Sequence, residues 1–196
     1  RNNNLLNYSF IRDPLESPKA CNLDMGTDEI ENFLKINFDK GDYENSFNCS
    51  LIGNKKNKDA IIFLDWIGYH YEYGYGINKN LFESVKFYEK SANIGSNWSA
   101  AKLGYFFGTE TPIKEIINLE KAYKYNKQAH ESGNVVATNN LAFNYFRGEF
   151  IKQNFDKSFE LFNYAYDNGN LGAVCNLAYH YQKGLGVKKN IAKSLG

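Results

Sequence analysis

Apolar and polar positions along the chain keep a helical beat that is broken at regular intervals. From Ala137 to Arg147 the apolar residues Ala137, Leu141, Ala142 and Tyr145 fall at i, i+4, i+5 and i+8, which is one face of a 3.6-period helix. Phe159, Leu161, Phe162, Ala165 and Tyr166 mark a second such face. Between the two runs stands Gly-x-Gly, or Gly-x-Phe in this copy, a residue tolerant of positive φ just past a helix end. Asn80, Asn154 and Asn190 stand where the second helix begins, each with an oxygen suited to its unpaired amides. The pattern predicts a helix pair.

That pair is repeated. Ile67–Ala92 (IGYHYEYGYGINKNLFESVKFYEKSA) and Leu177–Ser194 (LAYHYQKGLGVKKNIAKS) align without a gap, and Leu141–Ser158 (LAFNYFRGEFIKQNFDKS) fits the same frame. In each, a small residue follows the apolar anchor by 17 positions. Ser46, Ser84, Ala122, Ser158 and Ser194 are spaced 38, 38, 36 and 36. A fixed period of this length is the mark of a solenoid. Such small residues let neighbouring helices approach closely.

The copies are not identical. The one from Leu103-Gly104 to Gly133 has Glu110 and Pro112 where the turn glycines stand elsewhere, and its anchor-to-small spacing is 19. A longer, re-routed loop is expected from Gly108 to Lys114. Phe150 replaces the second turn glycine of the next copy. A competing register, Ala60 with Leu64, extends the first helix of the Ile67 copy by about a turn.

The joint pattern Ile67-Gly68, Tyr71, Gly74, Gly76, Ile77, Asn80, Ser84, Lys90-Ser91-Ala92 and Gly95 resembles the Sel1-like repeat, a relative of the tetratricopeptide repeat. Ala173, Leu177, Tyr181, Gly184, Gly186, Val187, Asn190 and Ser194 match it in the last copy. The resemblance implies an all-α fold, a right-handed α-solenoid of stacked antiparallel helix pairs. Its units are expected at about 59–96, 97–133, 134–169 and 170–196, the last truncated. A degenerate first pair is expected at 27–58, where Asp42 to Ser46 echoes Asn80 to Ser84 and Thr27 or Asp28 is available as a cap. Residues 1–26, polar with Pro14 and Pro18, read as a flexible tail or linker, and Asn54–Asp59 as a charged turn between units. The Arg start and mid-unit end suggest a piece of a longer protein.

Composition narrows the function. With 43% apolar and 16% aromatic residues the chain can bury a sizeable core. Its 23 basic and 22 acidic residues nearly balance, which gives no electrostatic reason to expect nucleic acid or a charged membrane surface. No apolar run is long enough to insert in a membrane. Three cysteines, Cys21, Cys49 and Cys175, lack metal-ligand spacing and favour a reducing, cytoplasmic location, with the endoplasmic reticulum lumen or secretion as the alternative. Cys49 and Cys175 fall in helical apolar runs and read as core thiols. The sequons at Asn7, Asn48 and Asn97 are expected by chance in a chain this rich in Asn and Ser.

The search for chemistry returns little. His70 and His180 occupy equivalent positions three after their anchors, so repetition explains them before catalysis does; a polar helix face is the expectation. The glycine turns follow no strand and precede no Lys-Ser/Thr, so they do not form a phosphate loop. Asp28 with Glu29 belongs at a helix start. No catalytic residue, metal site or cofactor is expected.

What remains is surface. The resemblance implies a non-catalytic scaffold or adaptor for a protein or peptide partner, in signalling, in quality control at the endoplasmic reticulum, or in bacterial contact with host cells. Because such arrays also occur joined to protein-kinase domains, a regulatory or targeting region of a larger signalling enzyme is the alternative. First helices of stacked pairs line the concave side. One position before and three after each anchor lie off the packed stripe, which nominates Trp66 and His70, Lys102 and Phe106, Asn140 and Asn144, and Asn176 and His180. An Asn amide offers both donor and acceptor to a peptide. Packing of Trp66 and Phe106 against adjacent helices is the competing expectation. The exposed apolar face of the last unit also allows weak self-association.

Overall fold

A computed structural model describes residues 20–148 and 150–194; all statements below concern these. Nine α-helices follow one another without a strand: α1 (Thr27–Asp39), α2 (Tyr43–Lys56), α3 (Ile61–Tyr73), α4 (Leu81–Asn93), α5 (Asn97–Phe106), α6 (Leu119–Glu131), α7 (Val135–Arg147), α8 (Phe155–Asp167) and α9 (Ala173–Lys183). Contacts run chiefly between consecutive helices, and α5 also touches α7. The fold is an α-solenoid of helix pairs.

Local chemistry starts the helices. Side chains of Asp42, Asn80, Ser96, Asn118, Asn134 and Asn154 each accept a hydrogen bond from a backbone N–H in the first turn. One such cap stabilises by about 1 kcal/mol. Helix α1 is an exception, because Gly26 holds the cap position and neither Thr27 nor Asp28 does. At the other ends, Gly74, Gly148 and Gly184 adopt φ of 78°, 66° and 73° and close α3, α7 and α9. Any side chain would be strained there.

The second turn glycine serves assembly. A Cβ on Gly76 would lie 2.1 Å from the Tyr43 carbonyl oxygen, and one on Gly186 would lie 2.2 Å from that of Phe155. Each turn therefore lies against the start of the preceding unit's second helix. A repeated glycine read as helix punctuation is also a contact between units.

Several expectations change. Asn54, Lys55 and Lys56 form the last turn of α2, not a charged turn between units. Helices α3, α5 and α7 all begin six residues before their anchors, so the Ala60 register does not lengthen α3. Residues 1–19 lie outside the description, but 20–26 are fastened to the first helix pair. Cys21 is joined to Cys49 by a disulfide, and Lys56 Nζ donates to the carbonyls of Leu23 and Met25. Cys175 is exposed, not a core thiol.

The re-routed loop of the Leu103 copy is present. Its ends are held as in the other copies: the Asn118 N–H donates to the Phe107 carbonyl at 2.9 Å, as Asn80 does to Tyr71, Asn154 to Tyr145 and Asn190 to Tyr181. The extra residues form a short 3-10 turn at Lys114–Ile116, and Ile113 plugs into the core beside Phe107 and Tyr125. Insertion is absorbed between two fixed points.

Candidate partner-binding surface

The first helices meet the preceding second helices at a recurring pair of positions. At the α2–α3 joint, His70 is fully buried, with Nε2 3.1 Å from Ser46 Oγ and Nδ1 2.7 Å from the Tyr75 carbonyl. The α8–α9 joint repeats this, with His180 Nε2 3.3 Å from Ser158 Oγ and Nδ1 2.6 Å from the Leu185 carbonyl. Burial holds His70 down to about 4, against the favourable carbonyl contact, and lowers His180 in the same sense. Both rings are neutral joints in the core.

Three nominated residues are thus withdrawn from the surface. His70 and His180 do not form a polar face, and Phe106, 1% exposed, packs in the core with Tyr88 and Leu103. Helical period puts the i+3 position off the packed stripe but does not locate the neighbouring unit. Its partners are visible in the sequence: Ser46 precedes His70 and Ser158 precedes His180, whereas Ala122, the equivalent of those serines, precedes Asn144.

Trp66 and Lys102 belong to an aromatic surface that single positions did not reveal. The half-buried Trp66 ring lies 4.8 Å from Phe38 and 5.7 Å from Tyr69; Tyr69 in turn lies 4.6 Å from Tyr73 and 6.2 Å from Trp98. Tyr73 is 46% exposed. Lys102 Nζ is 2.9 Å from Glu72 Oε1, 3.1 Å from the Tyr73 hydroxyl, and sits over the Tyr73 and Trp98 rings. The other Glu72 oxygen accepts from the Tyr88 hydroxyl at 2.6 Å. Lys102 is therefore held as part of the surface.

A polar hub lies behind it. Asp65 accepts from Ser91, Ser96 and Ser99 at 2.5, 2.9 and 2.6 Å, tying α3 to the end of α4 and the start of α5. Burial raises its carboxyl above the ordinary value and the three hydroxyls pull it back. Sequence reasoning passed over Asp65, since the serines that mark it lie 26 to 34 residues away.

Asn140 and Asn144 come together in a cleft of about 140 Å³ between α5, α6 and α7, shared with Asn126, Tyr105, Phe143 and Arg147. Asn126 is 2% exposed and its Oδ1 has no hydrogen-bond partner; its Nδ2 is 3.5 Å from Asn144 Oδ1. Arg147 is engaged, donating to Thr109 Oγ1 at 2.8 Å and lying over the Phe143 ring. Asn176 lies apart, its Nδ2 donating to the Gly172 carbonyl at 3.2 Å.

Of the sequons, Asn7 lies outside the described residues. Asn48 and Asn97 are exposed on helices, while their hydroxyl partners Ser50 and Ser99 are buried. Among the described residues no helix is long and apolar enough to cross a membrane. Leu171, just before α9, and Val174, in its first turn, are exposed.

Comparison with known proteins follows the same frame. A model described as the Sel1 repeat matches residues 65–96, 99–134, 135–170 and 172–196. The chain is similar to the crystal structure of a Sel1 repeat protein from Oxalobacter formigenes, at TM-score 0.71 and 21% identity, covering 87% of this chain and 69% of that one. It is also similar to a protective antigen present in uropathogenic Escherichia coli strains, displaying an SLR fold, at TM-score 0.72 and 22% identity. That match covers 86% of this chain and 36% of the other. No curated protein sequence matches the chain.

Proposed function

The chain belongs to the Sel1 repeat family, and from that premise we propose that it is a non-catalytic scaffold binding a partner protein or peptide on the face built by its first helices. The observation that carries this reading is the ring surface of Phe38, Trp66, Tyr69, Tyr73 and Trp98. These rings contact one another at 4.6 to 6.2 Å; Tyr73 is exposed and the other four are partly buried. Tyr and Trp combine a large apolar body with a polar edge and lose little entropy on contact, which suits them to anchor a partner. The cleft lined by Asn140 and Asn144 adds hydrogen-bonding groups on α7.

The disulfide bears on location. Cys21–Cys49 ties the approach to α1 onto α2, and such cross-links persist in oxidising compartments. It supports the endoplasmic reticulum lumen or the exterior over the cytoplasm. Mass spectrometry of the native protein under alkylation, finding both thiols free, would remove that support.

The scaffold reading is tested by capture on the intact chain beside a variant with Trp66, Lys102, Asn140 and Asn144 changed to Ala. Circular dichroism establishes that the variant folds. A partner identified on the intact chain and lost on the folded variant is the expected result. Equal capture by both places binding elsewhere.

A further inference from the structure

We infer that a row of rings at one repeat position of the first helices, Tyr69, Tyr105, Phe143 and Tyr179, seats an extended acidic segment of the partner protein. Its carboxylates lie at the α7–α9 end and its apolar side chains run towards α3. This rests on the partner-binding reading above and names the chemistry and course of the partner.

The row is a property of the repeat. Two residues after each apolar anchor, Ile67, Leu103, Leu141 and Leu177, stands an aromatic ring. Two residues turn a helix by about 200°, so this position faces away from the buried anchor. Tyr105 and Tyr179 are 47% and 44% exposed, and Tyr69 and Phe143 are half-buried. Neighbouring units are bridged along the row. Tyr69 lies 6.2 Å from Trp98 of α5, Tyr105 and Phe143 line one cleft, and Phe146 of α7 lies 5.9 Å from Tyr179. Packed helices stand about 8 to 10 Å apart, and an extended chain rises about 3.3 Å per residue. A segment crossing the first helices therefore meets a ring about every third residue.

Charge then selects the segment. Four residues after the last two rings stand Arg147 and Lys183, over Phe143 at 5.5 Å and Tyr179 at 5.9 Å. Among the described residues neither is in an ion pair, whereas Lys102 and Lys121 are held by Glu72 and Glu89. Arg147 donates to Thr109 and keeps further N–H groups free of a carboxylate; Glu110 borders the same cleft without pairing with it. Residues 168–196 carry four lysines and no carboxylate, while residues 24–44 at the other end carry seven acidic residues against two lysines. A carboxylate-rich segment is drawn to the α7–α9 end and repelled from α1. A basic segment covering the last two rings would set its charges against Arg147 and Lys183. A nucleic-acid strand also stacks on rings, but it needs a basic groove along its length, and here two unpaired cations stand at one end only.

The test is selection of short random peptides displayed on phage against the whole chain, followed by affinity measurement with synthetic peptides. Selected peptides are expected to carry Asp or Glu at one end and apolar or aromatic residues beyond it. Arg147→Glu combined with Lys183→Glu, both at exposed positions, should weaken them about ten-fold or more and shift selection towards basic residues. Lys183→Glu alone breaks no side-chain hydrogen bond of the described residues and should still cost several-fold. Tyr105→Ala or Tyr179→Ala should weaken binding several-fold while the acidic preference stays. Thermal melts confirm that each variant folds. Peptides that bind and depend on Trp66 and Lys102, yet show no acidic end and ignore the charge reversal, would overturn this inference and leave the scaffold reading standing. Tighter binding of a uridine oligonucleotide than of any peptide would overturn it, as would a dimer of the chain that the charge reversal dissociates. Failure to select any peptide counts against both readings.

Discussion

The α2–α3 and α6–α7 joints are built on the same frame and differ in what fills it. At the first, a Ser hydroxyl meets a buried His that is also fixed to a turn carbonyl, and an aromatic surface stands beside it. At the second, Ala122 replaces the Ser, Asn144 the His, and Asn126 stands where α2, α4 and α8 carry Ser50, Tyr88 and Phe162. The helices keep their places, but the second joint is left with a cleft and an unpaired amide oxygen. Backbone positions common to all repeats set the architecture. The side chains at a few joint positions then differ from one joint to the next.

The hardest blow to the closed joint is a methyl group on its turn. Gly76→Ala puts a Cβ at 2.1 Å from the Tyr43 carbonyl at φ of 69°, and a loss of about 4 kcal/mol is expected. Gly133→Ala, also at positive φ but facing open space, should cost only about 1 kcal/mol. Urea melts followed by circular dichroism compare the two. Equal losses would mean that the turn is not a contact between units.

Reduction of Cys21–Cys49, which closes a span of 28 residues, should destabilise the first helix pair by about 3 to 4 kcal/mol on the chain-entropy model. Hydrogen exchange should show faster opening in α1 and α2 while α6 and α7 are unaffected. Spread of the effect to the open joint would break the regional distinction.

Acid should strain the closed joint first. The unfolded chain protonates His70 near pH 6.5, whereas the folded chain resists until about 4. Stability is therefore lost as pH falls through that window, by at most about 3 kcal/mol at about 1.4 kcal/mol per unit. The lowered His180 contributes in the same direction. The raised Asp65 opposes it, since its folded carboxyl takes up a proton before the unfolded one does. His70→Asn should flatten the slope between pH 6.5 and 4, read from melts at each pH.

Closing the open joint is a smaller change of opposite sign. Asn126→Phe puts a ring above Gly104 as Tyr88 lies above Gly68, and a gain of about 1 kcal/mol is expected in thermal melts. A large loss would mean that the cleft cannot hold an aromatic ring. Smaller still, Lys102→Ala should cost below about 1 kcal/mol, because the Glu72 pair is partly open to solvent.

Much of this was legible along the chain. The 36- and 38-residue spacing, the helix pairs, the asparagine caps and the re-routed loop are local or periodic properties. An amide cap needs only residues three apart, and a solenoid needs only the same short pattern again. Trp66, Lys102, Asn140 and Asn144 are nominated this way, because off-stripe positions on first helices are readable from period. The burial of His70 and His180, the Cys21–Cys49 bridge, the Asp65 hub and the Asn126 cleft were not. Each depends on which side chains meet across 18 to 34 residues of chain, and helical period gives the angle of a side chain around its own axis without saying what stands opposite. Packing supplied that second coordinate, and with it the difference between a histidine that joins two units and an asparagine that borders a cleft.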